Sequence, residues 1–101
     1  MAIVYVEEFE VGDDRSTTNY DAVSARLNFR ADPPKGMIVH TAGFVGDRFR
    51  VVDVWETEED RRLFYEGRVM PAVREVMSEA GAPMASPPQM YAYHLHDLVR
   101  G

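Results

Sequence analysis

Residues Met37 to Glu56 (MIVHTAGFVGDRFRVVDVWE) read as two β-strands folded back at Gly46-Asp47. Glycine at the first central position suits a two-residue type II′ loop, and that loop fixes which residues face each other. Phe44 faces Phe49, Ala42 faces Val51, His40 faces Asp53 and Ile38 faces Trp55. Sliding one strand by a single residue would part His40 from Asp53. The alternation places Ile38, His40, Ala42, Phe44, Phe49, Val51, Asp53 and Trp55 on one face, with Met37, Val39, Thr41, Val52 and Val54 on the other. Both faces are apolar. A lone hairpin is marginal in water, so this one needs a larger sheet with cover on both sides.

The rest of the chain supplies such a sheet. Ala2 to Glu8 alternates and is rich in Ile, Val and Tyr, so it reads as a strand with Ile3 and Tyr5 on one side and Val4 and Val6 on the other. The stretch DDRSTTNYDAVSARLN offers Ser16, Thr17 or Thr18 as an N-cap, followed by Tyr20, Val23 and Leu27 at helical spacing. Pro33, Pro34 and Gly36 end that helix and lead into the hairpin. Thr57-Glu58-Glu59-Asp60 is a capping-box-like start to a second helix that points Leu63 and Phe64 inward. Pro71 would clash there with the carbonyl of Gly67, which predicts a kink or break between Gly67 and Met70. Met70, Val73 and Val76 or Met77 continue the apolar stripe. Gly81 to Pro88 (GAPMASPP) is a loop, and Gln89 to Val99 reads as a long last strand.

The order β-α-β-β-α-β in one domain, residues 1–101, is the α+β ferredoxin-like plan, a four-stranded antiparallel sheet with helices on one face. Two helices cover only one side of a sheet whose strands are apolar on both. The uncovered side predicts a homodimer formed sheet to sheet.

A net charge of -6 and scattered arginines leave no basic surface for nucleic acid, and an acidic surface avoids anionic membranes. With no cysteine there is no disulfide framework, thiolate metal site or thiol nucleophile. The first residues carry neither the charged region nor the long apolar region of a signal peptide, so a cytoplasmic location is expected.

His40 opposite Asp53 is the most specific chemistry in the sequence. A carboxylate fixes the tautomer of the imidazole beside it, and the pair could serve as a general base, a proton shuttle or only a tie between strands. Trp55 is either core or the wall of a pocket. Tyr5, Tyr91 and Tyr93 either offer phenolic hydrogen bonds to a ligand or are ordinary strand residues. His94 and His96 share one face of the expected last strand, but no third ligand follows from spacing, so no metal site is assigned. Glu58, Glu59, Arg61 and Arg62 read as a solvated helix face.

The run Val52-Asp53-Val54-Trp55-Glu56-Thr57-Glu58-Glu59, with the element order, resembles the dimeric α+β barrel superfamily and, within it, the antibiotic biosynthesis monooxygenase-like domains. The resemblance covers nearly the whole chain. It implies a dimer with a cavity between helices and sheet, and a small hydrophobic or aromatic ligand; some members oxidise aromatic polyketides without metal or flavin, and others degrade haem. Haem-degrading relatives use a histidine on the second helix, and Glu58 to Met77 contains none. Cofactor-free members use an Asn, a Trp and polar aromatics. Trp55 matches the Trp, and Glu7 lies near the place of the Asn. On this reading His40 and Asp53 are catalytic, Trp55, Tyr5, Glu7, Phe44 and Tyr93 bind the ligand, and no cofactor is implied. A non-catalytic module binding a hydrophobic ligand, and a purely structural dimer with a filled core, stay open.

Overall fold

The computed structural model describes residues 2–10, 16–81 and 88–101. Four strands, β1 (Ile3–Glu10), β2 (Met37–Val45), β3 (Arg48–Trp55) and β4 (Gln89–His94), form one sheet in the order β2-β3-β1-β4. Every neighbouring pair is antiparallel. Helix α1 (Thr18–Leu27) follows β1. After β3 come α2 (Glu58–Phe64), a π-helical turn (Tyr65–Val69) and α3 (Met70–Ala80). This is the α+β ferredoxin-like arrangement read from the sequence. Residues 11–15, ahead of the first helix, and 82–87, most of the expected Gly81 to Pro88 loop, lie outside the described residues.

The helices cover one face. Ile3, Leu27, Trp55, Phe64 and Ala72 form its core, with Tyr5, Val23, Phe29, Met37 and Val69 packed against them. The other face has its own buried group, Val4, Val6 and Val54, bordered by Ala2, Ile38, Val52 and Leu95. Strand alternation therefore splits β1 as expected. Around that second group Val39, Tyr91 and Tyr93 remain exposed.

The hairpin register holds at three of its four predicted pairs: Phe44 with Phe49, Ala42 with Val51 and His40 with Asp53. Gly46 has φ +59, while Asp47 is not among the residues of positive φ, the pattern of a type II′ loop. The fourth pair is corrected. A bulge between Met37 and Val39 makes Met37, not Ile38, the partner of Trp55. The extra residue reverses the alternation at the strand's start, so Met37 joins the helix-side core and Ile38 the opposite face. The bend leads back into Gly36, whose carbonyl accepts the Glu56 N–H at 2.8 Å. Gly36 has φ +83, and a Cβ there would come within 2.7 Å of the Asp60 side chain.

Thr57 caps α2 as predicted, its hydroxyl accepting the Asp60 N–H at 3.0 Å. The interruption predicted before Pro71 is the π-helical turn. The Met70 N–H reaches back to the Tyr65 carbonyl, five residues away, and the wider turn relieves the contact Pro71 would make in a continuous α-helix. Two expectations fail. Leu63 is 55% exposed because the inward row of α2 runs through Arg61, Phe64 and Tyr65, three and four residues apart, with Leu63 about half a turn away. β4 stops at His94 rather than Val99, since β1 begins at Ile3 and after the Leu95 N–H reaches the Ala2 carbonyl there is no strand left to pair.

Candidate active site

Between the helices and the sheet lies a cavity of about 500 Å³, within the size range of small-molecule sites. Among the described residues the space between helices and sheet is therefore not filled. The hairpin supplies its chemistry. His40 Nδ1 lies 2.6 Å from Asp53 Oδ1, with both side chains largely buried. A carboxylate only accepts, so Nδ1 carries a proton and donates it. In the neutral imidazole Nε2 is then bare, and the Tyr20 hydroxyl, 2.7 Å away, donates to it. Tyr20 reaches across from α1, and its ring packs edge-on against Phe49 at 4.9 Å. Phe29 stacks on the imidazole with centroids 4.8 Å apart. Burial raises the Tyr20 phenol above its ordinary pKa, and the negative charges of Asp53 and Asp21 raise it further.

A second polar group faces the same cavity. Arg61, on the inward row of α2, donates from Nη2 to Glu7 Oε1 at 2.9 Å, and the two side chains are only 12% and 11% exposed. The guanidinium carbon stands 4.6 Å from the Tyr5 ring centroid and 4.3 Å from that of Tyr65. Glu7 is buried enough that its carboxyl is pushed up, an effect partly opposed by the charge and hydrogen bond of Arg61 and added to by Asp53. Burial, then the charge of Glu7, also raises the Tyr65 phenol.

His40, Asp53, Glu7, Phe44 and Trp55 share the cavity wall. Trp55 is both core and wall. It is 1% exposed, packs on Phe64 with centroids 5.5 Å apart, and its indole N–H has no hydrogen-bond partner among the described residues. Tyr5 is on the same face but lies against Arg61 rather than in the wall. Tyr93 is corrected outright. It pairs with Val4, its side chain lies on the helix-free face at 51% exposure, and it does not reach the cavity. Arg61, read as solvated, is corrected in the other direction. Its spacing of three from Phe64 was the available signal. Tyr20 was visible as part of the α1 stripe, but nothing in the spacing paired it with His40. Among the described residues no group of three or more His, Cys, Asp or Glu could hold a metal ion, and no helix there is long and apolar enough to cross a membrane.

Over its whole length the chain has the fold of the antibiotic biosynthesis monooxygenase-like proteins. A candidate antibiotic biosynthesis monooxygenase from Chloroflexus aurantiacus superposes with a TM-score of 0.63 at 13% identity, covering 99% of this chain and 98% of that one. SnoaB, a cofactor-independent oxygenase from Streptomyces nogalater, gives 0.64 at 15% identity over 99% and 98%. A protein of unknown function from Nitrosomonas europaea gives 0.66 at 21% identity over 99% and 96%. At these identities the likeness is one of fold. No protein-family model matches the sequence, and no curated protein is similar to it.

Proposed function

We propose that this chain is a small monooxygenase-like enzyme of the cofactor-independent kind, acting on an aromatic or polyketide-like molecule, with His40 and Asp53 as its base. One observation carries the reading: a carboxylate-oriented imidazole, 2.6 Å from its partner, stands on the wall of an aromatic-lined cavity of about 500 Å³. An electron-rich phenol or enol needs little more. Once deprotonated, its anion can give one electron to dioxygen, and the resulting radical pair combines to a peroxide. The base accepts the proton, the aromatic walls exclude water, and Asp53 balances the imidazolium. The fold shared with SnoaB, a cofactor-independent oxygenase, agrees with this reading.

The test is oxygen uptake with a panel of polycyclic phenols and anthrones. His40→Ala should abolish turnover. The engagement of both His40 nitrogens inside the protein favours a second reading, a non-catalytic module in which the histidine is a tie. Binding with no uptake by the unaltered protein would select it. In either case we assign the chain to a homodimer. The support is the helix-free face, where Val39, Tyr91 and Tyr93 surround buried valines and stay exposed.

A further inference from the structure

Neither nitrogen of His40 is free to meet a ligand. Nδ1 is held by Asp53 at 2.6 Å, Nε2 by the Tyr20 hydroxyl at 2.7 Å, and the Phe29 ring stacks on the imidazole. Tyr20 ends this chain of hydrogen bonds, and it lines the cavity. Its oxygen gives one proton to Nε2 and keeps lone pairs with which to accept another.

We propose that Tyr20, not His40, is the catalytic residue that touches the substrate, and that it selects a neutral, weakly acidic O–H such as a phenol or enol. This rests on the base assignment made above and specifies how that base is reached. The substrate O–H bond breaks and its proton forms a new bond to Tyr20 Oη. The proton already on Tyr20 passes to His40 Nε2. The products are a substrate oxyanion, a neutral tyrosine and an imidazolium beside the Asp53 carboxylate. Two protons have moved and no electron has been transferred. Because burial and the nearby acids disfavour a tyrosinate, the two transfers belong together rather than in sequence.

Charge around the site points to the same ligand class. Among the described wall residues Asp53 and Glu7 are acidic and Arg61 is the single guanidinium, and Asp21 adds a further acid near Tyr20. A neutral O–H that hands its proton inward leaves the total charge unchanged. A ligand already carrying a carboxylate would add a negative charge beside two acids in a poorly solvated space.

The test uses 4-nitrophenol, whose neutral and ionised forms absorb at different wavelengths, held about one pH unit below its solution pKa so that roughly a tenth is ionised when free. Bound to the unaltered protein, its ratio of ionised to neutral form should rise at least about tenfold, equivalent to one pKa unit. Tyr20→Phe should bind the probe with affinity within a few-fold and return that ratio to the solution value. Tyr20→Met, which removes the same hydroxyl without a ring, should do likewise if it folds, and His40→Gln should also lose the effect. Ionisation by both Tyr20 variants equal to or above that of the unaltered protein would overturn the role given to Tyr20, since His40 would then meet the ligand directly. Binding with no ionisation by the unaltered protein would overturn the base assignment itself.

Discussion

Replacing Arg61 by Met isolates the energetic weight of the buried pair it makes with Glu7. The side chains meet at 2.9 Å and are 12% and 11% exposed, so solvent screens them little. Removing one partner of such a pair typically costs about 3–5 kcal/mol, because the remaining charge is left buried and alone. Part of the loss does not depend on pH. The stacking of the guanidinium over Tyr5 and Tyr65 accounts for about 1 kcal/mol of it. The rest follows the ionisation of Glu7. Its carboxyl titrates higher in the folded protein than in the unfolded chain, since burial outweighs the opposing effect of Arg61. A raised carboxyl contributes stability that is present below its unfolded pKa and is lost as pH rises through its folded pKa. Without Arg61 the folded value rises further, which widens the loss on the alkaline side. Urea titrations at one protein concentration should therefore show Arg61→Met losing about 3 kcal/mol or more at pH 8 and about 1–2 kcal/mol near pH 4. The double variant Glu7→Gln, Arg61→Met should recover most of the pH 8 loss, because no buried charge remains. Equal losses at both pH values, or a double variant no better than the single one, would refute the reasoning.

Two further outcomes follow from the fold. Gly36→Ala should cost about 2–4 kcal/mol in the same titrations, since it forces a side chain into φ +83 and drives its Cβ to within 2.7 Å of the Asp60 side chain; a loss under about 0.5 kcal/mol would mean the loop relaxes freely. Sedimentation of the unaltered protein should give twice the 11.5 kDa chain mass. Tyr91→Glu with Tyr93→Glu should return it to the monomer, and a wild-type monomer would remove the case for association through the sheet.

The outline of the fold and the pairing of His40 with Asp53 were both legible, for one physical reason. Period-2 alternation and a Gly-Asp loop are local signals, and together they fix a register strongly enough to bring His40 to Asp53 across thirteen residues. Legibility failed where a single residue changes phase. Ile38 sits in a bulge that no composition cue marks, and it exchanged faces with Met37. Leu63 is more hydrophobic than Arg61, yet helical phase turned the arginine inward and the leucine out. Burying a guanidinium was acceptable there because Glu7 waited on the adjacent strand. Tyr93 failed because alternation gives the face of a residue only once the whole sheet's partners are known, and its partner is Val4. Tyr20 was placed correctly on its helix, but its bond to His40 depends on where α1 crosses the sheet, which local spacing does not encode.

The polar contacts of the cavity also share a placement that links stability to chemistry. Tyr20 to His40 ties α1 to β2, His40 to Asp53 ties β2 to β3, and Glu7 to Arg61 ties β1 to α2. Each bond crosses from one element to another, and each stands on the wall of the same open space. An apolar cavity of this size would gain by collapse, since its lining forgoes dispersion contacts. Directional bonds at fixed lengths resist that collapse by holding α1 and α2 at set heights above the sheet. The residues that position a ligand are therefore also the struts that keep its space open. It follows that His40→Ala has two effects separable by measurement, a chemical one on proton transfer and a mechanical one on cavity volume. Asp53→Asn keeps the bulk of the strut and weakens only the electrostatic support for an imidazolium. If the two variants lose turnover alike while only His40→Ala loses binding, proton transfer and cavity support are distinct functions of one histidine.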